Sequence, residues 1–294
     1  MKINNKEVTE EKIKLLIDAV KSRPDFSGVD DKFVQAELVG FLSHDKKMLG
    51  IISEREIKDM LRARVFKELV KLVRAILRRT CGVFQLAEAG ERKQLFDELR
   101  KNPVSIELHE KILATHLSSA ERLNDYESIY QSIFAVTGKP KIVLDLGCGL
   151  NPVSLPWMKL DTVEYHASDL NKDDCDFVNE YFAIEKITGK AVQLNLIDLK
   201  QDKMLLARFP KADVCFLFKI LETIELTKSH RISELLLLAA PARYIVASFA
   251  TKTAGGDRMR NPRRGWIEYM IVRLGFSFEK FETENEIFYI IKKS

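Results

Sequence analysis

The chain has 294 residues, 46% hydrophobic and 31% charged, with 13 glycines and 8 prolines. That length suits about two domains, and the composition excludes a collagen-like, low-complexity or largely disordered chain. The 47 Lys and Arg nearly balance the 43 Asp and Glu, for a net charge of +4, so the total points to no nucleic-acid partner and the placement of the charges has to be read instead.

The first residues, MKINNKEVTEEK, are polar and carry no apolar core of a secretory signal. The longest apolar run, Leu235 to Ala242, has eight residues, too short for a membrane span. Cys81, Cys148, Cys175 and Cys215 form no CxxC pair and no zinc-knuckle spacing. The expectation is reduced thiols in a cytoplasmic protein, with no metal site and no membrane partner.

Residues 1 to about 135 read as helices. Ile13, Leu16, Ile17 and Val20 recur at helical spacing, and Phe33, Val34, Leu38 and Leu42 repeat it. The first pattern stops near Arg23-Pro24, because proline restricts the residue before it. A third runs from Ile57 through Leu61, Val65, Leu69, Leu72, Val73 and Ile76. It lies in a strongly basic stretch: Arg55 to Arg79 holds nine basic residues against three acids. Lys67, Lys71, Arg74 and Arg78 share one helical face, and Leu69, Leu72, Val73 and Ile76 are expected on the opposite one, toward the core. A cationic stripe of this kind suits RNA phosphates, a membrane surface or a protein partner.

From Lys139 the pattern changes. Short apolar runs at 142–144, 163–167, 191–196, 214–218, 244–249, 276–281 and 287–291 alternate with helical segments, which predicts parallel βαβ units. Only Glu282 to Glu286 separates the last two runs, too few residues for a helical crossover, so these two should form an antiparallel hairpin. The expected fold class is α/β, a Rossmann-like S-adenosylmethionine (SAM)-dependent methyltransferase fold behind a helical N-terminal domain. The domains are expected at 1–102 and 103–294.

Val143 to Pro152 reads V-L-D-L-G-C-G-L-N-P, a buried strand entering a Gly-x-Gly turn. Glycines there permit positive φ and close approach of a ligand to the backbone, although an ordinary tight strand–helix turn has the same form. Asp145 lies two residues before Gly147. No third glycine follows Gly149 at dinucleotide spacing, and Asp169 closes the next strand twenty residues later. An acid there accepts from both ribose hydroxyls. This pattern favours SAM over a nicotinamide cofactor. Asn195 to Leu199 is expected to close the third strand, with Asp198 beside the adenine amino group and Leu199 against the ring. The competing reading of Asp198 is a helix cap. A second basic cluster follows the strand that ends near Phe249: Lys252, Arg258, Arg260, Arg263 and Arg264 are opposed locally only by Asp257, and Gly255-Gly256 makes the loop flexible. Two basic clusters favour RNA over the other partners of the cationic stripe.

The run Leu144 to Met158, L-D-L-G-C-G-L-N-P-V-S-L-P-W-M, resembles the 16S ribosomal RNA guanine-N7 methyltransferases of the aminoglycoside-resistance (Arm) type. His116 to Leu123 resembles the family's H-x-S-x-x-E-R-L segment. Phe218 to Leu221 with Glu225 resembles its lysine after the fourth strand, and Ser248 to Lys252 its S-F-P-T-[KR] strand end, with Ala250 in place of the proline. The likeness covers residues 105–294. In the N-terminal region only the opening helix and the helical plan agree. The resemblance implies that Arg122 reaches the carboxylate of the SAM methionine moiety, that Gly147 leaves room for it, and that Asp169 holds the ribose. Asp145 and Gly149 belong to the same cofactor turn, while Asp198 and Leu199 frame the adenine. Lys219 and Glu225 would stand near the incoming guanine as catalytic residues. Lys67, Lys71, Arg74, Arg78, Lys252, Arg258, Arg260 and Arg263 would meet RNA. Each has a plainer alternative: Arg122 pairing with Glu121, Asp125 or Glu127, Lys219 solvated, Glu225 on a solvated helix face.

The implied reaction is methyl transfer to guanine N7 of 16S rRNA in the assembled 30S subunit, by a monomer. N7 carries a lone pair and no proton, so the step needs alignment rather than a general base. The base must leave its stack, and Trp157 is a possible clamp, though a buried Trp is the plainer reading. Other readings are a methyltransferase for another RNA site such as adenine N1, a SAM-binding ribosome-assembly factor with little turnover, and a small-molecule methyltransferase.

Overall fold

The structure is a computed structural model that describes residues 1–80, 89–225, 229–253 and 257–293. Cys81, the Gly255-Gly256 pair and the Arg79 side chain lie outside what is described. The chain divides into two compact units, Met1–Val83 with Asn171–Asp173, and Phe84–Leu170 with Asp174–Ser294.

The first unit opens with a two-stranded hairpin, β1 (Lys2–Ile3) and β2 (Lys6–Glu7). Asn4 and Asn5 both take positive φ, 45° and 66°, which a two-residue type I′ turn requires. Helices α1 (Glu10–Lys21), α2 (Asp31–His44), α3 (Lys46–Glu54), α4 (Ile57–Arg62) and α5 (Arg64–Thr80) follow. Thr9, Asp30 and Asp45 cap the first three by accepting from backbone N–H groups of the first turn. All eight residues of the first two apolar patterns are buried. The third pattern corrects the sequence reading. Ala63 is extended and divides it into α4 and α5. Within α5 the buried face is Phe66, Leu69, Val70, Val73 and Leu77, while Leu72 is 36% exposed and Ile76 half-buried. At about 100° per residue, Leu72 and Ile76 fall to one side of the stripe centred on Phe66, and the four basic residues fall to the other. The cationic face therefore flanks the core face and does not oppose it.

The second unit carries α6 (Ala89–Lys101), α7 (Ile106–Ala114), α8 (Leu117–Ala120) and α9 (Tyr126–Thr137) ahead of a seven-stranded sheet. Its strands are β3 (Ile142–Leu146), β4 (Glu164–Asp169), β5 (Thr188–Gln193), β6 (Ala212–Phe218), β7 (Ala242–Ala250), β8 (Ser277–Glu282) and β9 (Glu286–Lys292). The order is β5-β4-β3-β6-β7-β9-β8, parallel through β7, with β9 antiparallel to both β7 and β8. This is the parallel sheet closed by a terminal hairpin that the strand spacing predicts.

Central strands are apolar on both faces because helices cover both. Val214, Phe216 and Phe218 of β6 join a core with α7, α9, the short α10 (Leu155–Met158) and α11 (Lys172–Glu185). Cys215 and Leu217 join another with α13 (Arg231–Ala239) and α14 (Gly265–Arg273). Cys148, Cys175 and Cys215 are free and buried. Among the described residues no helix is long and apolar enough to cross a membrane.

Candidate functional site

The chain runs from β3 to β4 and β5 on one side, then returns to place β6 on the other side of β3. Ligands of open α/β sheets bind at the carboxyl ends of strands where the order reverses in this way. Gly147 follows β3 there with φ +72°, and a Cβ on it would stand 2.7 Å from Ile220 Cδ1, just past β6. The room at Gly147 is thus partly taken by Ile220. Gly149 has φ +49°, and a Cβ there would meet the His116 ring at 2.8 Å. The Gly149 N–H donates to Asp169 Oδ2 at 2.9 Å, so the acid at the end of β4 is tied to the turn. Asp145, at the end region of β3, is buried and accepts at Oδ2 from Asn151 and Tyr165, at 2.9 and 2.8 Å. Burial pushes its pKa up to about 6 against those two hydrogen bonds.

Arg122 sits in the turn between α8 and α9, 2% exposed. Its ion-pair partner is none of Glu121, Asp125 and Glu127. Nε donates to Glu286 Oε1 at 2.7 Å, and the guanidinium lies 4.9 Å above the Phe218 ring. Burial disfavours its charge, but Glu286 and Tyr126 together outweigh that and raise its pKa. Lys219 Nζ pairs with Glu121 and stands 3.4 Å from Glu286 Oε1. Its backbone is left-handed, φ +56°, an uncommon state for a non-glycine residue that is concentrated at functional sites. His116 is buried beside these cations. Burial, then Arg92, Arg122 and Lys219, push its pKa down to about 3, so its imidazole is neutral.

Glu286 is the site residue that sequence reasoning passed over, while Glu121 entered only as a possible partner of Arg122 and Ser248 only as part of a motif. The available signal was a glutamate opening the apolar strand E-I-F-Y-I-I, which is costly to bury without a cation.

The other expected residues are placed as follows. β5 ends at Gln193, so Asn195 to Leu199 does not close the strand. Leu196–Lys200 is a 3-10 turn capped by Asn195, whose side chain accepts from Ile197 N and donates to Asp198 Oδ1 at 3.1 Å. Asn195 offers the turn a local partner that a continued strand would not. Leu199 is buried. Glu225 ends α12 (Leu221–Ile224), and its Oε1 accepts from the Ser233 N–H and hydroxyl, at 2.7 and 2.8 Å, in the first turn of α13. Trp157 packs at 5.8 Å on Tyr126 and borders the core.

On α5, Lys67, Lys71 and Arg78 are exposed, but Arg74 donates to the Ala19 and Val20 carbonyls at 2.5 and 3.0 Å and caps the end of α1. In the second cluster the opposing acids come from elsewhere in the chain. Lys252 pairs with Glu284, Arg258 with Glu282, Arg263 with Glu268, and Arg264 with Glu222. Arg260 is exposed.

Two observations bear on whether these residues suit SAM. Among the described residues, Arg122 Nη2 and the Tyr126 hydroxyl are buried and neither meets a partner in good hydrogen-bond geometry, although the two groups interact, which leaves Arg122 Nη2 for a ligand to satisfy. The Gly147–Gly149 turn and Asp169 meet at the reversal point of the sheet. The residues fit the group.

A family model, the FmrO ribosomal RNA methyltransferases, matches residues 103–290. The chain belongs to that family. The 16S rRNA (guanine(1405)-N(7))-methyltransferase of Micromonospora echinospora is 30% identical over 188 residues, 62% of this chain and 65% of the relative. That of Proteus mirabilis is 28% identical over 206 residues, 67% and 69% of the two chains. The chain thus spans less than two thirds of the length of the first of these curated relatives. Among solved structures, the 16S rRNA methyltransferase RmtF in complex with S-adenosyl-L-homocysteine superposes with a TM-score of 0.70 at 22% identity, over 97% of this chain and 100% of that one. The 16S rRNA methylase RmtB gives 0.66 at 19% identity, over 96% and 98%. These likenesses bear out the expected fold, and the family match bears out the resemblance read from Leu144 to Met158.

Proposed function

We propose that this FmrO-family chain is a SAM-dependent methyltransferase that modifies guanine N7 in 16S rRNA of the 30S subunit. The observation that carries the reading is the buried Arg122 edge, without a hydrogen-bond partner in good geometry among the described residues, on the same strand-end side of the sheet as the Gly turn and Asp169. The names of the curated relatives support the substrate. SAM supplies an electrophilic methyl group. Arg122 binds the carboxylate of its tail, Asp169 the ribose, and Asp198 with Leu199 the adenine, while Asp145, Gly147 and Gly149 shape the turn. Lys219 meets the incoming base at the end of β6. Glu225 acts on the base side by holding the start of α13. No residue has to remove a proton from N7, so these groups orient and exclude water. The first, helical unit is the docking domain, where Lys67, Lys71 and Arg78 meet phosphates and Arg74 keeps the helix in place. Lys252, Arg258, Arg260 and Arg263 add a second phosphate surface. The enzyme acts in the cytoplasm as a monomer and confers aminoglycoside resistance.

The test is incubation of purified 30S subunits with labelled SAM, followed by mapping of the modified base. A mark on guanine N7 of 16S rRNA is expected. A mark on adenine N1 or on another RNA overturns the guanine assignment, and SAM binding without transfer turns the reading toward an assembly factor.

A further inference from the structure

Glu286 is fully buried at the start of β9, a strand otherwise composed almost entirely of apolar residues. Its oxygens are divided between partners. Oε1 accepts from Arg122 Nε at 2.7 Å and lies 3.4 Å from Lys219 Nζ, while Oε2 accepts from the Ser248 hydroxyl at 2.6 Å. The Lys219 N–H donates to that same hydroxyl at 3.1 Å. The neighbouring Asn285 side chain donates to the Glu121 carbonyl at 2.8 Å. One carboxylate therefore ties the turn after α8 to the ends of β6 and β7 and to the start of β9.

Arg122 is held on one edge by this carboxylate and on one face by Phe218. Its Nη2 is buried and, among the described residues, has no partner in good hydrogen-bond geometry, the Tyr126 hydroxyl being the group that interacts with it. A guanidinium fixed at Nε and open at Nη2 is prepared for a planar acceptor arriving with a ligand. We infer that Glu286 is a positioning residue, which sets the Arg122 fork toward the carboxylate of the cofactor's amino-acid tail and holds Lys219 in the same frame. The inference rests on the cofactor reading given above. A carboxylate suits the place because all three groups facing it are donors. Glutamine would turn an NH2 toward one of them.

The test measures binding of two adenosine thioethers by calorimetry, S-adenosylhomocysteine, which has the amino-acid tail, and 5′-methylthioadenosine, which lacks it. Glu286→Gln is expected to weaken the first by about tenfold, the scale of one charge-assisted hydrogen bond, and to leave the second unchanged. Equal weakening of both, with a lowered melting temperature, is the mark of a merely structural role and overturns the inference. Ser248→Ala removes a donor to Oε2 and leaves every charge in place. A smaller loss confined to S-adenosylhomocysteine is expected, and this variant decides the matter if Glu286→Gln does not fold. Arg122→Lys separates the inference from its foundation. If wild type binds neither thioether, or Arg122→Lys leaves their ratio unchanged, the cofactor reading fails. If Arg122→Lys moves the ratio and the other two variants do not, only the inference fails.

Discussion

Helix α5 and the Arg122–Lys219–Glu286 cluster use the same kinds of side chain in opposite surroundings. Lys67, Lys71 and Arg78 project into solvent from α5, whereas Arg122 and Glu286 are enclosed at the carboxyl ends of the strands. Solvent screens the first set, so their charges bear little on folding and remain open to an anionic surface that comes close. The second set has lost its water and depends on its internal partners. Arg74 stands between the two cases: it belongs to the basic face of α5 by spacing, yet its guanidinium caps α1.

The largest expected effect breaks the enclosed side of this comparison. Arg122→Met leaves Glu286 buried with only Lys219 as a cation, and chemical denaturation should show a loss of about 3 kcal/mol. A loss below about 0.5 kcal/mol would mean that solvent reaches Glu286. Next comes acidity. His116 titrates near 3 when folded against an ordinary value of 6.5, so the unfolded chain binds more protons across that window and stability falls as pH drops from 6.5 toward 3. Between pH 6.5 and 5 this amounts to about 2 kcal/mol. Asp145 works the other way between 3.8 and about 6, where the folded chain holds the proton. Comparing His116→Asn with wild type isolates the histidine, and unfolding curves at pH 7 and 5 should show a shallower acid loss in the variant. Arg74→Ala should cost about 1 kcal/mol through the unmet carbonyls of α1, measured by thermal melting. Alanine at Lys67, Lys71 and Arg78 should change stability least, within about 0.5 kcal/mol each. The same changes should weaken 30S binding and make its dependence on log salt shallower by roughly one unit for each phosphate no longer neutralised. An unchanged salt slope removes these residues from the RNA surface.

Much of the fold was readable because its signals are local. Seven apolar runs at strand spacing became seven strands, and the five-residue gap at 282–286 became the terminal hairpin. D-L-G-C-G followed by Asp169 marked the turn and the acid that the Gly149 N–H joins at 2.9 Å. The basic face of α5 was legible for the same reason, since helical period follows from sequence spacing alone. Its exact rotation was not: whether Leu72 or Val70 faces the core depends on which neighbours α5 meets. The end of β5 was lost to Asn195, whose side chain competes with the strand for backbone hydrogen bonds.

Sequence by itself determined the α/β class, the order of elements, the Gly turn and the family motifs, because each rests on residues close together in the chain. Tertiary structure alone decided who pairs with whom. Glu286 lies 164 residues from Arg122, and the acids that meet Lys252, Arg258 and Arg264 lie 24 to 42 residues away. No local pattern encodes such pairs. They form because burial makes an unpaired charge costly, and the fold brings the compensating charge from wherever the sheet order places it.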